Sequence, residues 1–371
     1  INGFRLMGYK WKNNVIFSEG KELSEFLLDY YQSNPQRKII YLLGKGFDPR
    51  MTNGLRFFLP KVRAGQIDCL LIDFPSTNTP PYQELIDDNM KELLELYSKY
   101  EVTEHSEVSV DFSINFDLAL RLLDQKLAKY NFDKYTDIII DISAIPRSIF
   151  FNIIKTIFDL RLRKNMMVFV SENVSMDIDI SEKDISEMNP IFGFKGRIGR
   201  ASLLKTINIS IPLIGEGKTE SFKKIINGFD ADDICPILPF PSSDLRRSDN
   251  LLWEYCDIFT NVLMIEAHNI LYVDEKNPFE LYAIINQIIQ DYHKSLEPLA
   301  GVLCFGISVM ASKLLSLGAL LVALDPISRN EVTIFNVNAS EYTIKEPINT
   351  FIDKNKLSEP YLVWISGEAY E

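Results

Sequence analysis

Basic residues are the first thing this 371-residue sequence is short of: 39 Lys and Arg face 51 Asp and Glu, a formal net charge of −12. Duplex nucleic acid is held by a basic face that displaces condensed counterions, so this balance argues against such a partner and restricts any phosphate site to a local pocket. Cysteine is also sparse. Cys69, Cys235, Cys256 and Cys304 lie far apart, without the paired spacing of a zinc site or the density of a secreted scaffold, and read as buried free thiols of a cytoplasmic protein. The three histidines, His105, His268 and His293, share no metal spacing. Neither a Gly-x-Ser-x-Gly elbow nor a Cys/His pair suggests a covalent nucleophile, and no metal is expected. The N-terminus lacks the basic and apolar regions of a secretory signal. The one apolar stretch approaching membrane length, Leu299–Leu324, is cut by Ser308, Ser312, Lys313 and Ser316 and reads as a buried strand followed by a buried helix, so no membrane partner is expected.

What is present is ordinary globular material, 46% hydrophobic and 24% charged, in a chain long enough for two cores. Short β-branched runs ending in Gly, Pro, Ser or Asp alternate with helical stretches, the pattern of parallel sheets wrapped by helices. Strands are expected at Lys38–Leu43, Ile67–Asp73, Val108–Phe112, Asp137–Ile142 and Met166–Val170. A second set is expected at Ile207–Ile214, Ile234–Pro239, Asn269–Asp274, Gly301–Ile307 and Val332–Val337. The two sets are collinear. Phe74-Pro75-Ser76 returns as Phe240-Pro241-Ser242 at an offset of 166, Val110-Asp111 as Val273-Asp274 at 163, and Ile142-Ser143 as Ile307-Ser308 at 165. The expected fold class is therefore α/β: two tandem Rossmann-like parallel-sheet units related by internal duplication about a pseudo-two-fold axis. The expected partition is an N-terminal helical extension over 1–36, a first half over 37–175, a linker over 176–206 and a second half over 207–371. The extension carries the amphipathic helix Glu22–Gln32, able to dock on the first sheet or on a partner, and the strand Tyr361–Ile365 is expected to extend the second sheet.

In open parallel sheets, ligands bind beyond the carboxyl ends of the strands, where helix N-termini face anions. After the first strand comes Gly44-Lys45-Gly46-Phe47-Asp48-Pro49-Arg50, in which glycines allow close backbone approach and Lys45 and Arg50 can meet phosphate. It matches neither the dinucleotide fingerprint nor a Walker loop, and a plain turn capped by an aspartate is the alternative. After the fourth strand comes Asp141-Ile142-Ser143-Ala144-Ile145-Pro146-Arg147, offering carboxylate, hydroxyl and guanidinium around one turn. Its counterpart keeps Ser308, Ser312 and Lys313 but loses the acid. Asp48, Asp73, Asp111 and Asp141 all stand at strand ends of the first half, so acid–base chemistry, with Asp141, Asp48 and Asp73 as catalytic residues, belongs there if anywhere. Strand-end aspartates also cap helices. The second half offers the loop Gly215-Glu216-Gly217-Lys218-Thr219, the loop Ser242-Ser243 with Arg246, and Asp274-Glu275 after its third strand.

At these residues the chain resembles the CARF and SAVED ligand-sensing folds of prokaryotic defence systems. Asp141–Arg147 resembles their turn of the form Asp-hydrophobic-Ser/Thr-x-x-Arg/Lys after strand four, and Ser308–Gly318 resembles the variant running into a helix that ends Leu-Gly-Ala. The Phe-Asp-Pro insertion in Gly44–Arg50 departs from the pattern. The resemblance implies two fused sensor units for residues 38–340, a nucleotide-type ligand such as a cyclic oligonucleotide held between them, and a separate effector protein or a homo-oligomer as partner. Two other functions stay open. One is a nucleotide-processing hydrolase or glycosidase using the first-half acids, with magnesium as a cofactor in that case only. The other is a scaffold subunit of a defence complex.

Overall fold

The computed structural model describes residues 10–11, 16–63, 65–75, 82–112, 115–198, 206–296 and 302–370. Ser76, residues 199–205 of the expected linker and residues 297–301 lie outside them.

In chain order the strands are β1 (Ile16–Glu19), β2 (Ile39–Gly44), β3 (Ile67–Asp73), β4 (His105–Ser109), β5 (Asp137–Asp141), β6 (Asn165–Glu172), β7 (Ile180–Ile185) and β8 (Asn189–Pro190). They continue with β9 (Thr206–Leu213), β10 (Asp233–Ile234), β11 (Ile237–Pro239), β12 (Leu271–Val273), β13 (Val302–Val309), β14 (Val332–Asn336), β15 (Ala339–Ile344) and β16 (Glu359–Ser366). The α-helices are α1 (Gly20–Ser33), α2 (Asn53–Phe58), α3 (Gln83–Lys99), α4 (Phe116–Lys129), α5 (Arg147–Asp159) and α6 (Val174–Asp179). Beyond them come α7 (Thr219–Gly228), α8 (Arg247–Asp257), α9 (Pro278–Leu296), α10 (Lys313–Leu324) and α11 (Ile348–Lys354).

The chain folds into two compact α/β units. The first comprises Asn14–Asp179 and Ile344–Glu371; the second comprises Ile180–Thr343 together with the described Lys10 and Trp11. The sheet of the first runs β1-β16-β6-β5-β2-β3-β4, with β4-β3-β2-β5-β6 all parallel. The sheet of the second runs β12-β11-β9-β13-β14-β8, with β12-β11-β9-β13-β14 parallel and β10 beside β9. Numbered within each unit, both parallel sets follow the order 3-2-1-4-5. Strands buried on both faces are continuous apolar runs, which is why all of β2 and β5 is buried and why β5 reads Asp-Ile-Ile-Ile-Asp. The Leu299–Leu324 stretch, where described, forms strand β13 and helix α10, whose residues after Lys313 are all buried. A helix apolar all round belongs in a core.

Four expectations change. Strand β16 extends the first sheet, not the second, pairing antiparallel with β6 from Glu359 to Ser366. Its two faces are both apolar, so it needs a sheet covered on both sides; Leu362 and Trp364 join Leu23, Leu27 and Tyr31 of α1 in the first unit's core. The N-terminal segment is likewise no separate extension: α1 belongs to the first unit's core, while Trp11 packs edge-on against Tyr282, 5.5 Å between ring centres, in the second. The expected linker contributes structure too, since β8 pairs with β14. Of the cysteines, Cys69, Cys235 and Cys304 are buried, but Cys256 is exposed on α8. No helix among the described residues is long and apolar enough to cross a membrane.

Candidate functional site

In each unit the first and fourth strands lie side by side and lead to helices after their carboxyl ends, which makes the loops there the place to look for a ligand. The glycines at this point serve a purpose that sequence reasoning assigned to a ligand. A Cβ on Gly44 would stand 2.5 Å from Cγ1 of Ile145, and one on Gly215 would overlap the carbonyl oxygen of Met310. What approaches these backbones is therefore the loop after the fourth strand. A Cβ on Gly46 would have room, 3.7 Å from the Ala144 carbonyl oxygen, and Gly217 takes a φ of 67° that favours glycine.

The first unit's loop 44–50 is closed on itself. Asp48 caps a short 3-10 turn by accepting from Arg50 N at 3.0 Å, and the Arg50 guanidinium, 1% exposed, is gripped by Asp48 at 2.7 Å and by Asp177 at 2.8 Å. Burial opposes the charge on Arg50, but Asp177 and Asp48 outweigh it and hold its pKa above the ordinary arginine value. Asn89 on α3 donates to the carbonyls of Gly46 and Asp48 and fixes the loop. Lys45 lies 3.4 Å from Asp73, which also accepts from Ser109. Asp141 is buried; it accepts from the Tyr41 hydroxyl at 2.7 Å and from Ser143 N at 2.9 Å. Burial, and then the Asp141 charge, push the Tyr41 hydroxyl up, so Tyr41 stays a donor. Asp48, Asp73 and Asp141 are thus individually engaged, by capping, ion pairing or hydrogen bonding. Asp111 is exposed after β4, and Arg147 opens α5 half-buried.

The second unit gathers its loops around one arginine. Arg247 at the start of α8 has its side chain 7% exposed, with Nε 2.5 Å and Nη2 3.0 Å from the two oxygens of Glu216 and Nη1 2.7 Å from Glu275. Glu275 in turn accepts from both N and Oγ of Ser243 at 2.6 Å. The loops after β9, β11 and β12 are thereby tied to a single guanidinium. Burial opposes its charge, and Glu216 followed by Glu275 more than restores it. Gly217 N donates to Glu254, Tyr255 donates to the carbonyl of Gly215, and Lys218 pairs with Glu182 at 2.6 Å. Thr219 opens α7, and Asp274 accepts from Lys276 N.

Glu216, Ser243 and Glu275, each named from the sequence as a ligand-binding candidate, are brought together by Arg247, which sequence reasoning missed. The expected Arg246 is exposed, and Ser242 donates to the Asp244 carbonyl. A signal for Arg247 existed: it leads the four-residue spacing Arg247, Leu251, Tyr255 of the buried helix face. Asp177, 127 residues from Arg50, carried none.

Corresponding loops share hydrogen bonds. Phe112 N donates to the Pro75 carbonyl at 3.2 Å, and Glu275 N donates to that of Pro241 at 3.0 Å, at the sequence offsets of 163 and 166. The fourth-strand loops do not keep the expected match. Ile140 lies opposite Leu42, two residues before Gly44, and Val309 opposite Leu213, two before Gly215. This register sets Ser143 level with Ser312 and not with Ser308, which lies inside β13. From these strand positions the chain needs seven residues to reach α5 at Arg147 but four to reach α10 at Lys313, which is what hid the shift. Ser143 Oγ accepts from Ser171 N at 2.8 Å, and Ser312 Oγ caps α10 by accepting from Leu315 N at 3.2 Å. Ser308 Oγ is buried without a hydrogen-bond partner. Lys313 is half-buried at the first position of α10. No group of three or more His, Cys, Asp or Glu able to hold a metal ion occurs among the described residues.

No family model and no curated protein matches the chain. Among solved structures it is similar to the cytoplasmic domain of a prokaryotic cation chloride cotransporter, at 12% identity and TM-score 0.24, covering 82% of this chain and 96% of that one. It is also similar to a putative universal stress protein from Pseudomonas aeruginosa UCBPP-PA14, at 12% identity and TM-score 0.22, covering 86% and 97%. Likeness at these TM-scores says nothing of ligand, activity or partner. Neither description names a CARF or SAVED protein.

Proposed function

We propose that this chain is a sensor module that binds a nucleotide-type phosphate ligand at the carboxyl edge of the second unit's sheet and passes its occupancy to a separate effector protein. The observation that carries this reading is the Glu216–Arg247–Glu275 arrangement. A carboxylate meeting Nε and Nη2 of one guanidinium uses the two-pronged geometry that also fits a phosphate. Glu216 is the replaceable partner. Its side chain is 22% exposed against 6% for Glu275, and it stands between Gly215 and Gly217 on a loop free of bulky neighbours at Gly217. A ligand phosphate taking its place on Arg247 would release that loop, so binding energy becomes a conformational difference that a partner can read. The shared strand order supports descent of the two units from one duplicated precursor, and with it kinship to the CARF and SAVED sensors. The hydrolase reading is less favoured, because Asp48, Asp73 and Asp141 are already committed to Arg50, Lys45 and Tyr41.

Thermal-shift screening against mononucleotides and cyclic oligonucleotides tests the proposal, because a ligand that binds only the native state raises Tm. At least one nucleotide should raise it, Arg247→Met should abolish the shift, and Glu216→Gln, which weakens the internal competitor, should enlarge it. A hit recovered unchanged after incubation supports a sensor, and a converted one an enzyme. If no nucleotide shifts Tm, the proposal fails.

A further inference from the structure

The segment from β11 through α8 to β12 presents large apolar side chains to solvent. Phe240, Leu245, Trp253, Val262, Met264 and Tyr272 all lie there, and four of them are among the five most exposed large hydrophobic residues described, led by Trp253 at 84%. A lone exposed leucine needs no explanation, but a concentration of Trp, Met and Phe does, because aromatic residues and Met are enriched at protein interfaces. Met264 adds a second sign. It holds a φ of 49°, a left-handed backbone that residues with such side chains rarely adopt, and its side chain is 77% exposed. Beside it, β12 is the end strand of the second unit's parallel set, with Tyr272 at its centre packed edge-on against Phe240, 6.1 Å between ring centres.

The charge around these residues specifies what would cover them. Residues 240–272 contain no lysine, and the exposed ionic groups are Asp244, Asp249, Glu254, Asp257 and Glu266 against Arg246 alone, with His268 beside Glu266 at 3.2 Å. Anionic membranes and nucleic acid are repelled by such a rim. A second copy of this chain, with its net charge of −12, meets like charge with like. We infer that the face formed by α8, its following turn and β12 is a docking surface for a basic protein segment that carries aliphatic or aromatic side chains. On this inference Trp253, Met264 and Tyr272 supply the apolar contacts, and Asp244, Asp249, Asp257 and Glu266 supply the charge that selects a basic partner. This surface includes the helix that begins at Arg247, but the inference does not depend on ligand binding there.

Tryptophan emission reads the surface directly, since Trp253 is exposed while Trp11 and Trp364 are buried. An amphipathic helical peptide of leucine and lysine should shift the emission of the full chain to shorter wavelength and bind with a measurable Kd, more weakly as salt is added. The same peptide with glutamate for lysine should not bind. Trp253→Ser and the double variant Asp257→Lys, Glu266→Lys should each weaken binding about tenfold or more, measured by calorimetry where the fluorophore is gone. The charge-matched double variant Glu95→Lys, Asp117→Lys on the first unit should leave it unchanged. Absence of binding overturns the inference, as does equal weakening by the control variant. So does a wild-type dimer that Trp253→Ser dissociates, which would make the occupant a second copy.

Discussion

The two units share a strand order yet spend their buried arginines differently. Arg50 closes a loop upon itself, caught between Asp48 two residues away and Asp177, in a turn also held by Asn89. Arg247 ties together three loops that lie far apart in sequence, through Glu216 and through Glu275 with Ser243. The first arrangement rigidifies one turn. The second makes the carboxyl edge of a sheet depend on one side chain, while in both one carboxylate is partly open to water, Asp177 at 28% and Glu216 at 22%. A scaffold thus becomes a candidate sensor by where its ion pairs reach, with no change in topology.

The largest effect should come from breaking these pairs. Removing one partner of a buried ionic group strands the others, at a cost of about 3–5 kcal/mol. Arg50→Ala should lower stability by an amount in that range, read from the urea midpoint of the transition it perturbs. Arg247→Ala should cost about as much, because each arginine holds one carboxylate that can turn to water, Asp177 or Glu216, and one that is buried, Asp48 or Glu275. A clearly larger loss at Arg247 would mean that Glu216 is held as firmly as Glu275, and an exchangeable carboxylate would lose its basis.

A smaller contrast concerns the first-strand glycines. Gly44→Ala meets side-chain atoms, Cγ1 of the buried Ile145 at 2.5 Å and Phe74 at 3.1 Å, which can shift at a cost of about 1–2 kcal/mol, whereas Gly215→Ala meets the backbone carbonyl of Met310 and should cost about 3 kcal/mol. Thermal unfolding of the two variants gives the ranking. A reversed order would mean that the loop after β13 is the softer of the two.

Much of this was legible in the sequence, for reasons that differ from residue to residue. The central strands β3 and β5 were readable to within a residue because a strand covered on both faces must be apolar throughout, and no helix of that length competes. The loops of Glu216, Ser243 and Glu275 were readable because strand ends in a parallel sheet converge whatever the details of packing. Arg247 was hidden behind its neighbour Arg246, and only the helix phase separates the two. The place of β16 could not be read, since an apolar strand pairs equally well with any covered edge and the choice of sheet rests on α1, more than 300 residues earlier. The match of Ser143 to Ser308 failed because a three-residue difference in loop length is invisible to an offset taken between short motifs.

That mismatch yields the smallest and most discriminating contrast. Ser143 and Ser308 are both fully buried, but Ser143 Oγ accepts from Ser171 N while Ser308 Oγ has no hydrogen-bond partner. Deleting an accepting hydroxyl leaves a buried N–H without its partner, so Ser143→Ala should destabilise by about 1–2 kcal/mol. Deleting a hydroxyl that bonds to nothing removes only a desolvated polar group, so Ser308→Ala should be neutral or stabilise by up to about 1 kcal/mol. The sign of the difference in urea midpoint decides the matter. If Ser308→Ala destabilised as Ser143→Ala does, the Ser308 hydroxyl would be satisfied in solution by a bound water or ligand inside the second unit. The two serines would then be alike in energetics although the strand register sets them apart.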